Sequence, residues 1–280
     1  MKNVMAYKPR ASSVVKEIIM KTKYLTTAIL AAGMAAMPTQ AETIELTGVL
    51  RDFKVSHPDM QYSQKSFGVK TNLVESQIGE DGKPVLRTDL DPTRGMITGP
   101  DSFNQWFNDV PEVNIAVPFT IVLDNNQDGP GGVYSYAREK QLSGNLRYFF
   151  PMDNLGGWHD MQTVNSGTHN FYFTYEIHTE FTYTDPDERD EAMVFSFTGD
   201  DDVWVFINGK LAVDIGGVHG QSQRSVNLDT AAEDLGLEAG GTYTLDFFFA
   251  ERHTTESNFR IETTMQLEEV PPTTISPLYD

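Results

Sequence analysis

The chain has 280 residues, with 40 Asp and Glu against 21 Lys and Arg, a formal net charge of −19 at pH 7. That balance speaks against nucleic acid and anionic membrane surfaces as partners, and favours solubility and cation binding, although a solvated acidic surface has the same composition. Cysteine is absent, so neither a disulfide nor a thiol contributes stability or chemistry.

The first 41 residues stand outside the expected fold. Residues 1–19 read as an upstream extension. From Met20 the sequence runs MKTKYLTTAILAAGMAAMPTQA: Lys21 and Lys23 are basic, Leu25 to Met37 are largely apolar, and small residues lead to Thr39-Gln40-Ala41. This is the order of a signal peptide over 20–41 with cleavage before Glu42. Its apolar stretch is too short for an ordinary membrane span, and no later segment is long and apolar enough to be one. A secreted or cell-surface protein is expected, its remaining length suited to one large all-β domain or two small ones.

Glu42 to Phe53 alternates as an opening strand with Ile44, Leu46 and Val49 inward, and His57-Pro58-Asp59 ends it. Residues 55–99, rich in Gly, Pro, Asp and Thr, read as loop with one or two short strands. Asp101 or Ser102 then caps a short helix that places Phe103, Trp106 and Phe107 on one face. Asn114 to Leu123 returns to strand, and Pro118 marks it as an edge or a bulge. Asp124, Asn126, Asp128 and Gly129 open like a calcium loop, but Ser135 stands where a bidentate Glu is required and no helices flank it; an ordinary turn is the preferred reading. His169 to Tyr183 is an aromatic strand with Phe171, Phe173, Tyr175 and Ile177 on one face.

The chain then reaches FTGDDDVWVFINGKLAVDIGG, from Phe197 to Gly217. Met193, Phe195 and Phe197 alternate before the acids Asp200, Asp201 and Asp202; Val203, Val205 and Ile207 alternate after them; and Asn208-Gly209 signals a tight hairpin, because both turn positions need positive φ. The expected arrangement is a β-meander with its charge at one end. Adjacent carboxylates repel one another unless they are solvated or neutralised by a cation. A hard cation such as Ca²⁺ takes about six to eight oxygens, so further donors must come from other loops: Asn258, Glu251, Asp214 or carbonyls near Gly216-Gly217. A solvated acidic turn holding no ion is the alternative. Thr242 to Phe249 and Asn258 to Leu267 are the closing strands, and 269–280 read as a disordered tail. The fold class is all-β: an antiparallel β-sandwich over 42–268 with one or two short helices. No nucleophile elbow, P-loop, dinucleotide fingerprint or HExxH occurs, and among so many acids a glycosidase-like pair is uninformative.

FTGDDDVWVFINGKLAVDIGGVHG, followed by SVNLDT and FFFAERHTTESNFRIET, resembles the fibro-slime domain, a branch of the PA14-like β-sandwich modules found in secreted and cell-surface proteins. The resemblance implies an extracellular adhesive or ligand-binding role rather than catalysis. In related PA14 lectins an Asp-Asp pair joined by a cis peptide binds Ca²⁺, and the ion coordinates sugar hydroxyls. Carried over here, the pair falls on Asp200-Asp201, with Asp201-Asp202 the alternative register; the metal residues implied are Asp200, Asp201, Asp202 and Asn258. A polysaccharide or other glycan is the expected ligand, with Trp158, His219, Glu251, Arg252 and His253 as candidate contacts. Trp204, inside an alternating strand, reads as core. A structural matrix protein whose ion only stiffens loops is the second reading, and a secreted hydrolase the third.

Overall fold

The computed structural model describes residues 42–61, 67–89, 96–125, 132–138, 148–165 and 167–270. The expected extension and signal peptide, most of the Asp124-to-Tyr134 loop and all but the start of the expected tail lie outside these residues. The strands are β1 (Thr43–Phe53), β2 (Asn114–Asp124), β3 (Tyr134–Arg138), β4 (Gln162–Val164), β5 (Gly167–His169), β6 (Phe173–Thr182) and β7 (Val194–Gly199). They continue with β8 (Asp202–Ile207), β9 (Lys210–Ile215), β10 (Ser222–Asn227), β11 (Thr242–Glu251), β12 (Phe259–Thr263) and β13 (Glu268–Glu269). Among the described residues two α-helices accompany them, α1 (Pro100–Phe103) and α2 (Leu228–Leu235). Every pairing of named strands is antiparallel, as the alternation predicts.

The main sheet runs β10-β7-β12-β3-β2-β1-β6-β11-β8-β9. Its weakest link is the single pair Asp124↔Ser135 between β2 and β3. There the sheet folds over, setting β10, β7, β12 and β3 against the remaining strands. Phe195 and Phe197 of β7 and Phe259 and Ile261 of β12 pack in one core with Val203, Val205 and Ile207 of β8 and Phe247 and Phe249 of β11. Phe197 and Phe247 meet across the layers with ring centroids 5.5 Å apart. Among the described residues β2 pairs with β3 only at Asp124, so Pro118 lies beyond that pairing, opposite Val49 of β1.

β8 and β11 are buried on both faces. Trp204, Phe206, Phe248 and Ala250 turn away from the main core and pack under Leu73, Ile97, Phe103, Trp106 and Phe107. This second cover explains why both strands read as nearly unbroken apolar runs, and it confirms Trp204 as core. It is carried by the 67–107 connection, which meets the rest of the fold through isolated bridges such as Lys70↔Gly216 and Gln77↔Lys210 rather than through strands.

Four sequence expectations are corrected. The acidic turn does not join two paired strands: β7 pairs with β10 and β12, while β8 pairs with β11 and β9. Period-two alternation fixes which face is buried, not which strand lies alongside. Helix α1 begins at Pro100 behind Gly99 and ends at Phe103, so Trp106 and Phe107 reach their cluster from the turn that follows. The 222–235 segment, given no element by the sequence reading, forms β10 and then α2, which the Asn227 side chain caps at one end and Gly236, at φ 73°, closes at the other. Glu269, assigned to the tail, pairs with Thr179. The Asn208-Gly209 hairpin is as expected, with φ of 51° and 72° between paired Ile207 and Lys210.

Candidate functional site

Because β7 and β8 belong to opposite layers, the acidic turn crosses the end of the sandwich, and its three carboxylates face different surroundings. Asp202 is the innermost. It is fully buried and paired with Arg252, whose Nε and Nη2 approach Oδ2 at 2.7 and 2.6 Å. Its Oδ1 accepts the Gly217 N–H. Arg252 also donates through Nη1 to the carbonyls of Asp59 and Met96, and its guanidinium lies 4.6 Å from the centre of the Trp106 ring. Arg252, expected as a ligand contact, is instead the internal counter-ion of Asp202, with its side chain 0% exposed. Asp202 thus turns inward to Arg252, whereas Asp200 and Asp201 line a cleft. The peptide bond between these two is cis.

Asp200 is held by Asn258 from both ends: the backbone N–H of Asn258 donates to Oδ1, and its Nδ2 donates to Oδ2 at 2.9 Å. Asp201 fastens two loops, accepting the His219 N–H at 3.1 Å and the Arg252 N–H at 3.2 Å. Glu251, at the end of β11, is buried beside them and accepts the His253 N–H at 3.3 Å. Burial pushes the Asp200 carboxyl up to about 6, against the hydrogen bonds from Asn258. Asp201 is held well above the ordinary range, first by burial and then by the charges of Asp200 and Asp202, with Arg252 opposing. Burial raises Glu251 too, and the charges of Asp201 and Asp200 add to it. Its Oε2 and the Ser257 hydroxyl both lack a formed hydrogen bond, although Ser257 is near enough to draw the Glu251 pKa down.

These groups meet a cleft of about 410 Å³ lined by Asp200, Asp201, the 218–220 loop, the 253–256 loop and Phe67-Gly68. His219 lines it with Nδ1 donating to the Gly220 carbonyl at 2.8 Å, and its buried Nε2 has no partner. His253 lines it too, donating through Nδ1 to the Thr254 carbonyl at 2.6 Å and accepting from Gln61 at 3.2 Å. Glu256 reaches the cleft beside Tyr148, whose hydroxyl is pushed up to about 12 by burial, then by the charge of Glu256 and the hydrogen bond to it. Of the expected residues, Asp200, Asp201, His219 and His253 line the cleft, and Asn258 and Glu251 lie directly behind them. Trp158 and Asp214 stand elsewhere. Trp158 stacks under Lys54 Nζ at 3.5 Å and donates its backbone N–H to Asp52; Asp214 accepts the Asn72 N–H at 2.6 Å. Sequence reasoning missed Phe67, Val218, Thr254, Thr255 and Glu256. All but Phe67 lie within the matched strings, Val218 in the first and the other three in ERHTTES, which were the available signal.

Whether these residues suit a hard cation is a question of donors and charge. Asp200, Asp201 and Glu251 are three buried carboxylates, and the Arg252 guanidinium, beside the turn, is paired with Asp202. A divalent ion beside Asp200 and Asp201 would relieve that repulsion, so the donor set fits. Among the described residues no three His, Cys, Asp or Glu side chains converge as a ready-made metal cluster; an ion here would complete its shell with amide and carbonyl oxygens, as hard cations do.

The family model described as the PA14 domain matches residues 128–278, more than half of the chain. The chain belongs to the PA14 domain family. This PA14 chain is similar to Protein psiQ and Protein psiR of Dictyostelium discoideum, at 38% and 39% identity over 224 residues. The matches cover 77% and 80% of this chain but only 20% and 21% of those proteins, so the chain spans about a fifth of the length of these relatives. Among solved structures it is similar to a PA14 sugar-binding domain from an RTX adhesin, at 10% identity and TM-score 0.28, covering 80% of this chain and 95% of that one. It is also similar to the A domain of a subtype-switched Epithelial Adhesin 9 from Candida glabrata in complex with beta-lactose, at 11% identity and TM-score 0.28, covering 86% and 85%. The expected membership of the PA14-like group thus holds.

Proposed function

We propose that this PA14 domain is an extracellular, non-enzymatic binding module that takes a glycan in the cleft beside a calcium ion held by Asp200, Asp201 and Asn258. The observation that supports the reading most is electrostatic. Asp200, Asp201 and Glu251 are buried together at one end of the sandwich, the first two line the cleft, and no Lys or Arg is among the described residues that line it. A bound Ca²⁺ would supply positive charge and open coordination positions for sugar hydroxyls. The chain's part is to present the two carboxylates: Asn258 fixes Asp200, Asp201 ties the His219 and Arg252 backbones together, and Arg252 neutralises the third acid. Export by the 20–41 segment belongs to the same proposal.

Calorimetric titration of the full chain with calcium tests this. The parent is expected to bind, and Asp200→Ala/Asp201→Ala to lose binding at least about tenfold while its far-UV spectrum stays that of a folded sandwich. Glycan binding that survives EDTA unchanged would overturn the calcium-dependent reading. The loop-tying role of Asp201 favours a second version in which the ion only stiffens loops; calcium would then raise the melting temperature, by linkage, with no glycan bound.

A further inference from the structure

Seventeen phenylalanines and three tryptophans occur in the chain, all among the described residues, and Phe67 alone of them is exposed, at 51%. A single exposed apolar side chain needs no explanation by itself. Phe67, however, stands on the wall of the cleft that Asp200 and Asp201 floor. The remaining lining is mostly polar: two histidines, two threonines and Glu256, with Val218 buried among them. No other phenylalanine or tryptophan lines it.

Hydrogen bonds just after Phe67 tie it to the cleft. The Gly68 N–H donates to the Val218 carbonyl at 2.9 Å, and Lys70 and Gly216 exchange N–H···O bonds of 2.6 and 3.1 Å. This strap ties the chain just after Phe67 to the loop that carries His219. Little slack remains, since a Cβ on Gly217 would meet the Gly68 carbonyl at 3.0 Å and the Lys70 side chain at 2.8 Å. The Phe67 ring meets the His253 ring edge to face, with centroids 5.2 Å apart and planes at 89°. His253 is itself held by Thr254 and Gln61. The aromatic wall is thus attached to both loops that line the cleft.

We propose that Phe67 is a specificity-determining residue of this cleft: the C–H face of a pyranose packs on its ring while the sugar's hydroxyls turn to the acidic floor. This rests on the carbohydrate-binding reading above. An aromatic ring offers a sugar a flat apolar surface, and a pyranose is apolar only where its C–H bonds cluster on one face. Epimers that place a hydroxyl axially on that face lose the contact. The wall therefore selects among sugars that an ion alone, ligating any suitable pair of hydroxyls, would treat alike.

The test is calorimetry at saturating calcium with the methyl glycosides of glucose, galactose and mannose, on the full chain and on Phe67→Ala and Phe67→Trp. The Ala variant is expected to bind the preferred sugar about 2- to 13-fold more weakly, the range of an aromatic contact, and to flatten the ranking of the three. Calcium affinity and melting temperature should stay those of the parent, and the Trp variant should bind within about threefold of it. Parent-like affinity and ranking in Phe67→Ala would overturn the proposal and leave the glycan reading standing, as would a parallel loss of calcium affinity. If the parent binds none of the three sugars, nor any polysaccharide, the glycan reading falls and this assignment with it.

Discussion

Asp200 and Asp202 are two residues apart and have opposite fates. Asp202 is buried against the guanidinium of Arg252, whereas Asp200 is buried against Asn258, which donates hydrogen bonds but no charge. The consequence for stability has a definite sign. The Asp200 carboxyl sits at about 6 in the folded protein against an ordinary 3.8. Between those values the folded state holds a proton that the unfolded chain has released, so the stability of ion-free protein falls as pH rises through that window. The gap corresponds to roughly 3 kcal/mol at most, at about 1.4 kcal/mol per pH unit. Asp200→Asn removes the titration. In urea denaturation with EDTA, the stability of the variant relative to the parent should increase by on the order of 2–3 kcal/mol between pH 4 and pH 7. A difference that stays flat would mean that Asp200 ionises without penalty. Calcium should abolish the parent's dependence, since the ion takes the place of the proton.

At the scale of elements, the site depends on how closely the end of β7 passes the start of β12. Gly199, the last residue of β7, pairs with Ser222 on one side and Phe259 on the other. A Cβ there would come within 2.2 Å of the Asn258 carbonyl and 2.6 Å of the Phe197 ring. The first is backbone and cannot swing away, so Gly199→Ala must push β7 off β12 at about 1–3 kcal/mol, the usual cost of overpacking. The same shift moves Asp200 from the Asn258 groups that hold it. Urea denaturation should therefore show lost stability and calorimetry a weaker calcium affinity; lost stability with calcium affinity intact would mean that the ion does not depend on this register. What the sequence made legible follows the same division. Alternation located β1, β6, β8 and β11, and the Asn208-Gly209 turn, because those signals are local. The crossing of the acidic turn between layers was not legible, since partner choice is set by contacts distant in sequence. Phe67 had no signal at all. It sits in a stretch without periodicity, and only the strap to Val218 brings it to the cleft.

For the whole molecule, the acidic balance acts over a longer range than any of these contacts. The chain carries a formal −19, and the cleft adds Asp200, Asp201 and Glu256, with no Lys or Arg among the described residues that line it. A bound Ca²⁺ offsets the two aspartates, but Glu256 and the surrounding field still repel an approaching polyanion, an effect damped beyond roughly 10 Å in 0.1 M salt. A neutral polysaccharide feels neither. With free calcium held fixed, biolayer interferometry across about 20–300 mM NaCl should find the binding of a neutral glycan nearly independent of salt. A sulfated polymer should show little binding at the low end, and any that occurs should strengthen as salt rises, because screening weakens repulsion. The opposite trend, retention at low salt and release at high salt, is what a basic surface produces. Finding it here would place the binding face away from the acidic end of the sandwich, on a surface where cationic side chains collect.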